Sequence, residues 1–169
     1  MPCPCPRCLA VRARDLISWF LSALSTNRLG INMSIQRLSA VDFTTLENPG
    51  IRSVQIVWPK NAPEALVTIT RVTMEPGSIS ARHSHPNSEQ IWIVERGRAA
   101  LLMDQDQTDE VQAGDVVRTP AGSIHCVKNT GHEPFVYLAV TTPPQDFTPA
   151  YQGTADFKLT SRQAPRKPT

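Results

Sequence analysis

The chain has 169 residues, 40% of them hydrophobic and 19% charged, which suits a single globular domain with its own core plus tails. A formal net charge of +2 is too small to argue for a nucleic-acid partner, and no basic stripe interleaved with aromatics runs along the chain. Part of the positive charge lies in the tail Arg162–Lys167, which reads as a solvated end.

The N-terminus opens with Cys3, Cys5 and Cys8 among prolines. A structural zinc site wants a fourth ligand and none follows nearby, so this stretch reads as an unstructured proline-rich end. Leu16–Leu24 is an apolar run too short to span a bilayer. Ile17, Phe20, Leu21 and Leu24 share a helical face, so a short amphipathic helix is one reading. A cleaved signal is another, and a natural start at Met33 a third. The domain reading is therefore an extension over 1–32, disordered or short-helical, one β domain over 33–158, and a flexible tail over 159–169. The expected location is cytoplasmic.

From Ile35 onward short strands alternate with turn residues. Arg52–Trp58 and Ala65–Met74 are rich in β-branched residues at period two. Glu89–Glu95 and Arg98–Met103 flank Gly97 and read as a hairpin. A polar connection, Asp104–Glu110, leads to Val116–Thr119, Ser123–Lys128 and Phe135–Thr142. Fifteen prolines mark loop corners, and no helical pattern of useful length interrupts residues 50–142, so the chain is all-β, a sandwich or a barrel. The proline-rich stretch Thr142–Gly153 carries Phe147 and Tyr151, which are placed to pack back on the barrel.

Four histidines occur, His83, His85, His125 and His132, and imidazole is the commonest protein ligand for transition metals. His83 and His85 are two apart, so both face the same way on an extended segment. Gln90 shares a strand face with Trp92 and Val94, while Glu89 shares the other with Ile91 and Ile93. His125 shares its face with Val127 and Asn129. Cys126 faces away and reads as a small buried hydrophobe. His132, in a turn, reads as solvated.

Gly77, His83, His85 and Gly97 stand at the spacing of the first signature motif of the cupin superfamily, and Gly114, Pro120, Gly122, His125 and Asn129 match the second at every position. The chain resembles a small single-domain cupin over about residues 50–142. The resemblance implies a cupin jelly-roll β-barrel with one divalent transition metal (Fe, Mn, Ni or Zn) held by His83, His85, His125 and a fourth side chain. The family's glutamate is the point of departure. Counting back from Gly97 gives Gln90; counting on from His85 gives Glu89. Strand parity favours Gln90, with Glu89 the alternative, because a one-residue slip exchanges their faces.

With a neutral amide as fourth partner the ion's charge stays uncompensated, which favours anionic ligands. Trp92, with Met74, Met103 and Tyr137 behind it, is a candidate for the pocket wall, and Arg71, Arg82 and Arg118 are candidates for a carboxylate anchor. Apolar residues on both faces of the Gln90 strand point to a homodimer. The expected function is a metal-dependent enzyme acting on an anionic small molecule, of dioxygenase, decarboxylase, lyase or isomerase type. The alternative is a metal-dependent binding or sensor barrel without turnover.

Overall fold

A computed structural model describes residues 35–152, and the unit beginning at Arg37 is compact. The expected N-terminal extension and flexible tail lie outside the described residues. The strands are β1 (Thr44–Asn48), β2 (Ile51–Val57), β3 (Thr68–Met74), β4 (Glu89–Arg96), β5 (Arg98–Leu102), β6 (Thr108–Gln112), β7 (Val116–Thr119), β8 (Cys126–Asn129) and β9 (Phe135–Thr142), followed by one helical turn, α1 (Thr148–Tyr151). They form two antiparallel sheets, ordered β1-β2-β3-β9-β4-β7 and β6-β5-β8, in the expected jelly-roll barrel. Among the described residues no helix is long and apolar enough to cross a membrane.

Period-two alternation sorts the side chains. Thr68, Thr70, Val72 and Met74 of β3, Gln90, Trp92 and Val94 of β4, and Phe135, Tyr137, Ala139 and Thr141 of β9 all point inward and are buried. Register aligns these into rows across the large sheet. Ile51, Met74 and Phe135 make an apolar row at one end. Ser53, Val72, Tyr137 and Val94 come next, and then Gln55, Thr70, Ala139 and Trp92. The last row is polar: Thr68, Thr141, Gln90 and Thr119. The barrel is thus plugged with hydrocarbon at one end and lined with hydroxyls and amides at the other.

Two strands, β1 and β6, were not expected. Both lie at sheet edges, where only one residue of β6, Val111, is buried and none of β1 is. Their polar sequences carry no strand signal because an edge buries so little. The expected hairpin at Gly97 is also corrected. β4 pairs with β7 and β9 while β5 pairs with β6 and β8, so Gly97 is the corner where the chain changes sheet.

That corner is tight. Gly97 has φ +78°, and a Cβ there would lie 2.7 Å from the Pro134 carbonyl oxygen and 3.1 Å from the Phe135 Cα. At Gly114 (φ +97°) a Cβ would meet nothing within 4 Å. Gly114→Ala should therefore cost only the left-handed backbone penalty of ~1–2 kcal/mol. Gly97→Ala adds a clash with immobile backbone and should cost ~3 kcal/mol or more. Urea midpoints of the two variants measured side by side check this; equal losses would show that the corner yields.

Asn129 closes the same region. Its amide donates to the carbonyls of Met74 and Glu133, both at 2.9 Å, and accepts from the Gly131 N–H at 2.9 Å. It is 1% exposed, and it fastens the end of β8 to β3 and to the turn leading into β9.

Candidate metal centre

The small sheet gains a further partner beyond β8. Residues 77–85 run antiparallel to β8, with bridges between Ile79 and Lys128 and between His83 and His125. His83 and His125 exchange backbone hydrogen bonds of 3.0 and 2.8 Å, which puts their side chains next to each other on the inner face. His85, two residues on, points the same way, and its carbonyl accepts from the Gly122 N–H at 2.8 Å. The turn carrying Pro120 and Gly122 is thereby tied to the histidine segment.

One ring nitrogen from each of the three imidazoles falls within 4.8 Å of the others. Ring centroids are 4.9 Å apart for His83 and His85, 4.4 Å for His83 and His125, and 5.4 Å for His85 and His125. The Nδ1 of His83 lies 2.7 Å from the Ala81 carbonyl, and that of His125 lies 3.0 Å from the Ser123 carbonyl. A carbonyl only accepts, so both Nδ1 atoms carry the proton and both Nε2 atoms keep a lone pair. The Nε2 of His125 is buried without a hydrogen-bond partner; both ring nitrogens of His85 are buried too, with Gln145 and Gln90 near them but neither in good hydrogen-bond geometry. Each such atom costs ~1–3 kcal/mol. A divalent transition ion would take the lone pair of His125 Nε2 and that of one His85 nitrogen together with that of His83, one donor atom from each ring, so the donor set fits a metal.

The imidazoles are held neutral. Burial, then the neighbouring His83 and His125, lowers the pKa of His85 from 6.5 to about 3. Burial and then His83 lower that of His125 to about 4, and burial lowers that of His83. The unfolded chain therefore binds more protons than the folded one below pH 6.5. The metal-free protein should be most stable above pH 6.5 and lose stability as pH falls from there toward 4. Thermal melts of chelator-treated protein across that range check the sign.

Gln90 is 6% exposed and lines the same cavity as His83 and His85. The indole of Trp92 donates to its Oε1 at 3.0 Å, and its Nε2 donates to Thr141 Oγ1 at 3.0 Å. Because indole N–H can only donate, this pair fixes which amide atom is oxygen. That oxygen retains a second lone pair. Glu89 lies on the other face of β4, where its carboxylate pairs with Arg118.

The cavity beside the histidines measures about 370 Å³. Met74, Trp92 and Tyr137 line it. Met103 and Arg118 are not in its lining: Met103 packs against the core past the end of β5, and the Arg118 guanidinium is spent on Glu89 outside. Arg71 pairs with Glu95, and Arg82 reaches the Met103 carbonyl and Asp104. His132 is exposed in its turn. Cys126 is buried, its thiol donating to the Ser80 carbonyl at 3.2 Å.

The remaining wall comes from the segment after β9. Thr68 Oγ1 and Gln145 exchange backbone bonds at 2.9 Å, Ser88 Oγ donates to the Pro143 carbonyl, and Lys60 reaches Thr148. These bonds lay Phe147 edge-on to His85 at 5.6 Å and bring Tyr151 to the cavity, interacting with Ser53. Sequence reasoning had these two aromatics packing on the barrel but missed the polar inward positions Ser53 and Thr70. Their signal was the unbroken alternation through β2 and β3.

The Cupin domain family model matches residues 70–141. The chain is 36% identical over 73 residues to an oxalate decarboxylase of Bacillus subtilis, a match covering 41% of this chain and 19% of that protein. It is 31% identical over 70 residues to an oxalate-binding protein of Thermotoga maritima, covering 41% of this chain and 57% of that one. The chain thus spans little more than half, or less, of the length of these curated relatives. Among solved structures, a Cupin 2 conserved barrel domain protein from Salinispora arenicola is 33% identical, with 65% of this chain and 88% of that chain covered and a TM-score of 0.50.

Proposed function

This chain belongs to the cupin family, and on that premise we propose that it is a metal-dependent enzyme acting on an anionic small molecule. His83, His85 and His125 are its metal ligands, with Gln90 the fourth. The observation that carries the reading is the convergence of one ring nitrogen from each of three imidazoles beside a cavity of about 370 Å³. The divalent ion (Fe, Mn, Ni or Zn) supplies Lewis acidity toward an anionic oxygen and, in the case of iron, redox chemistry.

The chain's own groups do the rest. The carbonyls of Ala81 and Ser123 hold the imidazoles of His83 and His125 in the tautomer that ligates. Trp92 and Thr141 hold the Gln90 amide with its oxygen fixed in place. Phe147 and the segment after β9 cover one side of the cavity and shield His85. That two relatives are named for decarboxylating or binding oxalate supports an anionic ligand.

One observation favours the second reading, a binding barrel without turnover. Among the described residues the lining contains no carboxylate and no ammonium to move a proton. Tyr137 and Tyr151 have their pKa values pushed up by burial, so at neutral pH they serve as hydrogen-bond donors rather than bases. Dioxygenase, decarboxylase, lyase and isomerase chemistry thus all fall to the metal. In the single chain the outer side of the large sheet exposes Ile93 and its partner Val116, at 45% and 66%, which supports a homodimer.

Metal analysis of protein made without a histidine tag tests the proposal. About one equivalent per chain is expected, and its removal by a chelator should lower the melting temperature. Protein that retains no ion and gains no stability from Fe, Mn, Ni or Zn would overturn it.

A further inference from the structure

The shape and charge of the cavity narrow the ligand further than the relatives' names do. At about 370 Å³ it is at the size of sites that enclose a drug-sized molecule, ~300–1,000 Å³. A dianion as small as oxalate would leave most of it filled by water. Beyond the histidines the walls are mainly hydrocarbon, from Ile51, Val72, Met74, Val127 and Ala139. One wall is an aromatic series. The Trp92 ring lies 5.5 Å from His125, and Tyr137 lies 4.8 Å from Trp92 at an interplanar angle of 33°. Phe147 adds an edge beside His85.

The cations tell the same story. Among the described residues no Lys or Arg lines the cavity. Arg71, Arg82 and Arg118 have acidic partners elsewhere, in Glu95, Asp104 and Glu89. A carboxylate or phosphate held away from the metal would leave water for a wall without a counter-charge, at a heavy cost; oxalate, able to place both carboxylates on the ion, escapes that cost but leaves the apolar wall uncovered. The polar groups away from the histidines, such as Ser53, Thr70 and Tyr151, are uncharged. They can serve some hydroxyls of a sugar ring, but the hydrocarbon of Ile51, Val72, Met74, Val127 and Ala139 would leave others without a partner.

Resting on the metal reading above, we infer that the site takes a flat, ring-bearing ligand with one chelating anionic head, of the 2-hydroxy-aromatic acid or enol type. The head lies at the histidines, and the ring lies along Trp92 and Tyr137. Oxalate-like dicarboxylates and phosphorylated sugars are poor ligands.

Protein loaded with Co(II), whose visible bands report on its coordination, is titrated with 2-hydroxybenzoate, oxalate and galacturonate. The expected result is that 2-hydroxybenzoate binds at least ~10-fold more tightly than either of the others. Ala150→Trp, in the helical turn outside the core, adds bulk to the cavity wall. It should cost 2-hydroxybenzoate ~10-fold and leave oxalate unchanged. Val72→Phe adds the bulk from β3 and serves the same purpose should the first variant not fold. Co(II) uptake with oxalate or galacturonate preferred, or equal losses for 2-hydroxybenzoate and oxalate in the variants, overturns this inference alone. A protein that takes up no Co(II) overturns the metal reading beneath it.

Discussion

His125→Ala is expected to abolish metal retention while leaving the metal-free protein about as stable as before. Loss of an outer-sphere partner typically weakens a metal site ~10–100-fold, and loss of a ligand should exceed that. The backbone of His125 keeps its two bonds to His83 whatever its side chain, so the bridge that builds the site survives. Two effects on the fold oppose each other. Packing against Trp92 is lost, but a buried Nε2 without a partner disappears too, which returns ~1–3 kcal/mol. The melting temperature of chelator-treated protein should therefore move by less than ~5 °C, whereas the rise on adding metal should vanish. A histidine that merely fills the core would give the opposite pattern, a large loss without metal and no change in metal response. His132→Ala, in an exposed turn, should alter neither.

What the sequence made legible follows the burial of each strand. β3, β4 and β9 lie inside the large sheet, so their alternation is dictated by a covered face and reads directly. Parity on β4 separated Gln90 from Glu89, and the structure has Gln90 inward and Glu89 outward. β1 and β6 are edges, where composition is free to be polar. Met103 shows the limit of parity. It continues the inward series of Ala99 and Leu101, but β5 ends at Leu102 and the chain turns, with the Met103 N–H bonded to the Gln107 carbonyl. Arg118 shows a second limit, since an ion pair with a residue 29 positions away is invisible to local pattern. The cavity's tail wall is of the same kind. Phe147 is positioned by Thr68 holding Gln145 across 77 residues, a contact no periodicity announces.

Gln90→Glu should tighten metal binding by ~10–100-fold and weaken anion binding in the loaded protein. A unit charge ~4 Å from an opposite one is worth ~4 kcal/mol per elementary charge at the effective dielectric of a protein site. Desolvating a carboxylate that is 6% exposed takes back a good part of that. The substitution keeps the links to Trp92 and Thr141. Glu Oε1 still accepts from the Trp92 indole, and the Thr141 hydroxyl, now an acceptor, can rotate to donate to the other oxygen. Without metal the buried carboxylate stands among imidazoles held neutral by burial, so the metal-free variant should melt lower than the parent and the loaded variant higher. Calorimetric titration with metal, with melts of both forms, checks both signs. Glu89→Ala provides the contrast: it removes a partly exposed ion pair with Arg118, costs less than ~1 kcal/mol and should leave metal affinity alone. Were Gln90 only a hydrogen-bonded link between Trp92 and Thr141, the glutamate would not sharpen the metal response. Were Glu89 the ligand, its removal would empty the site.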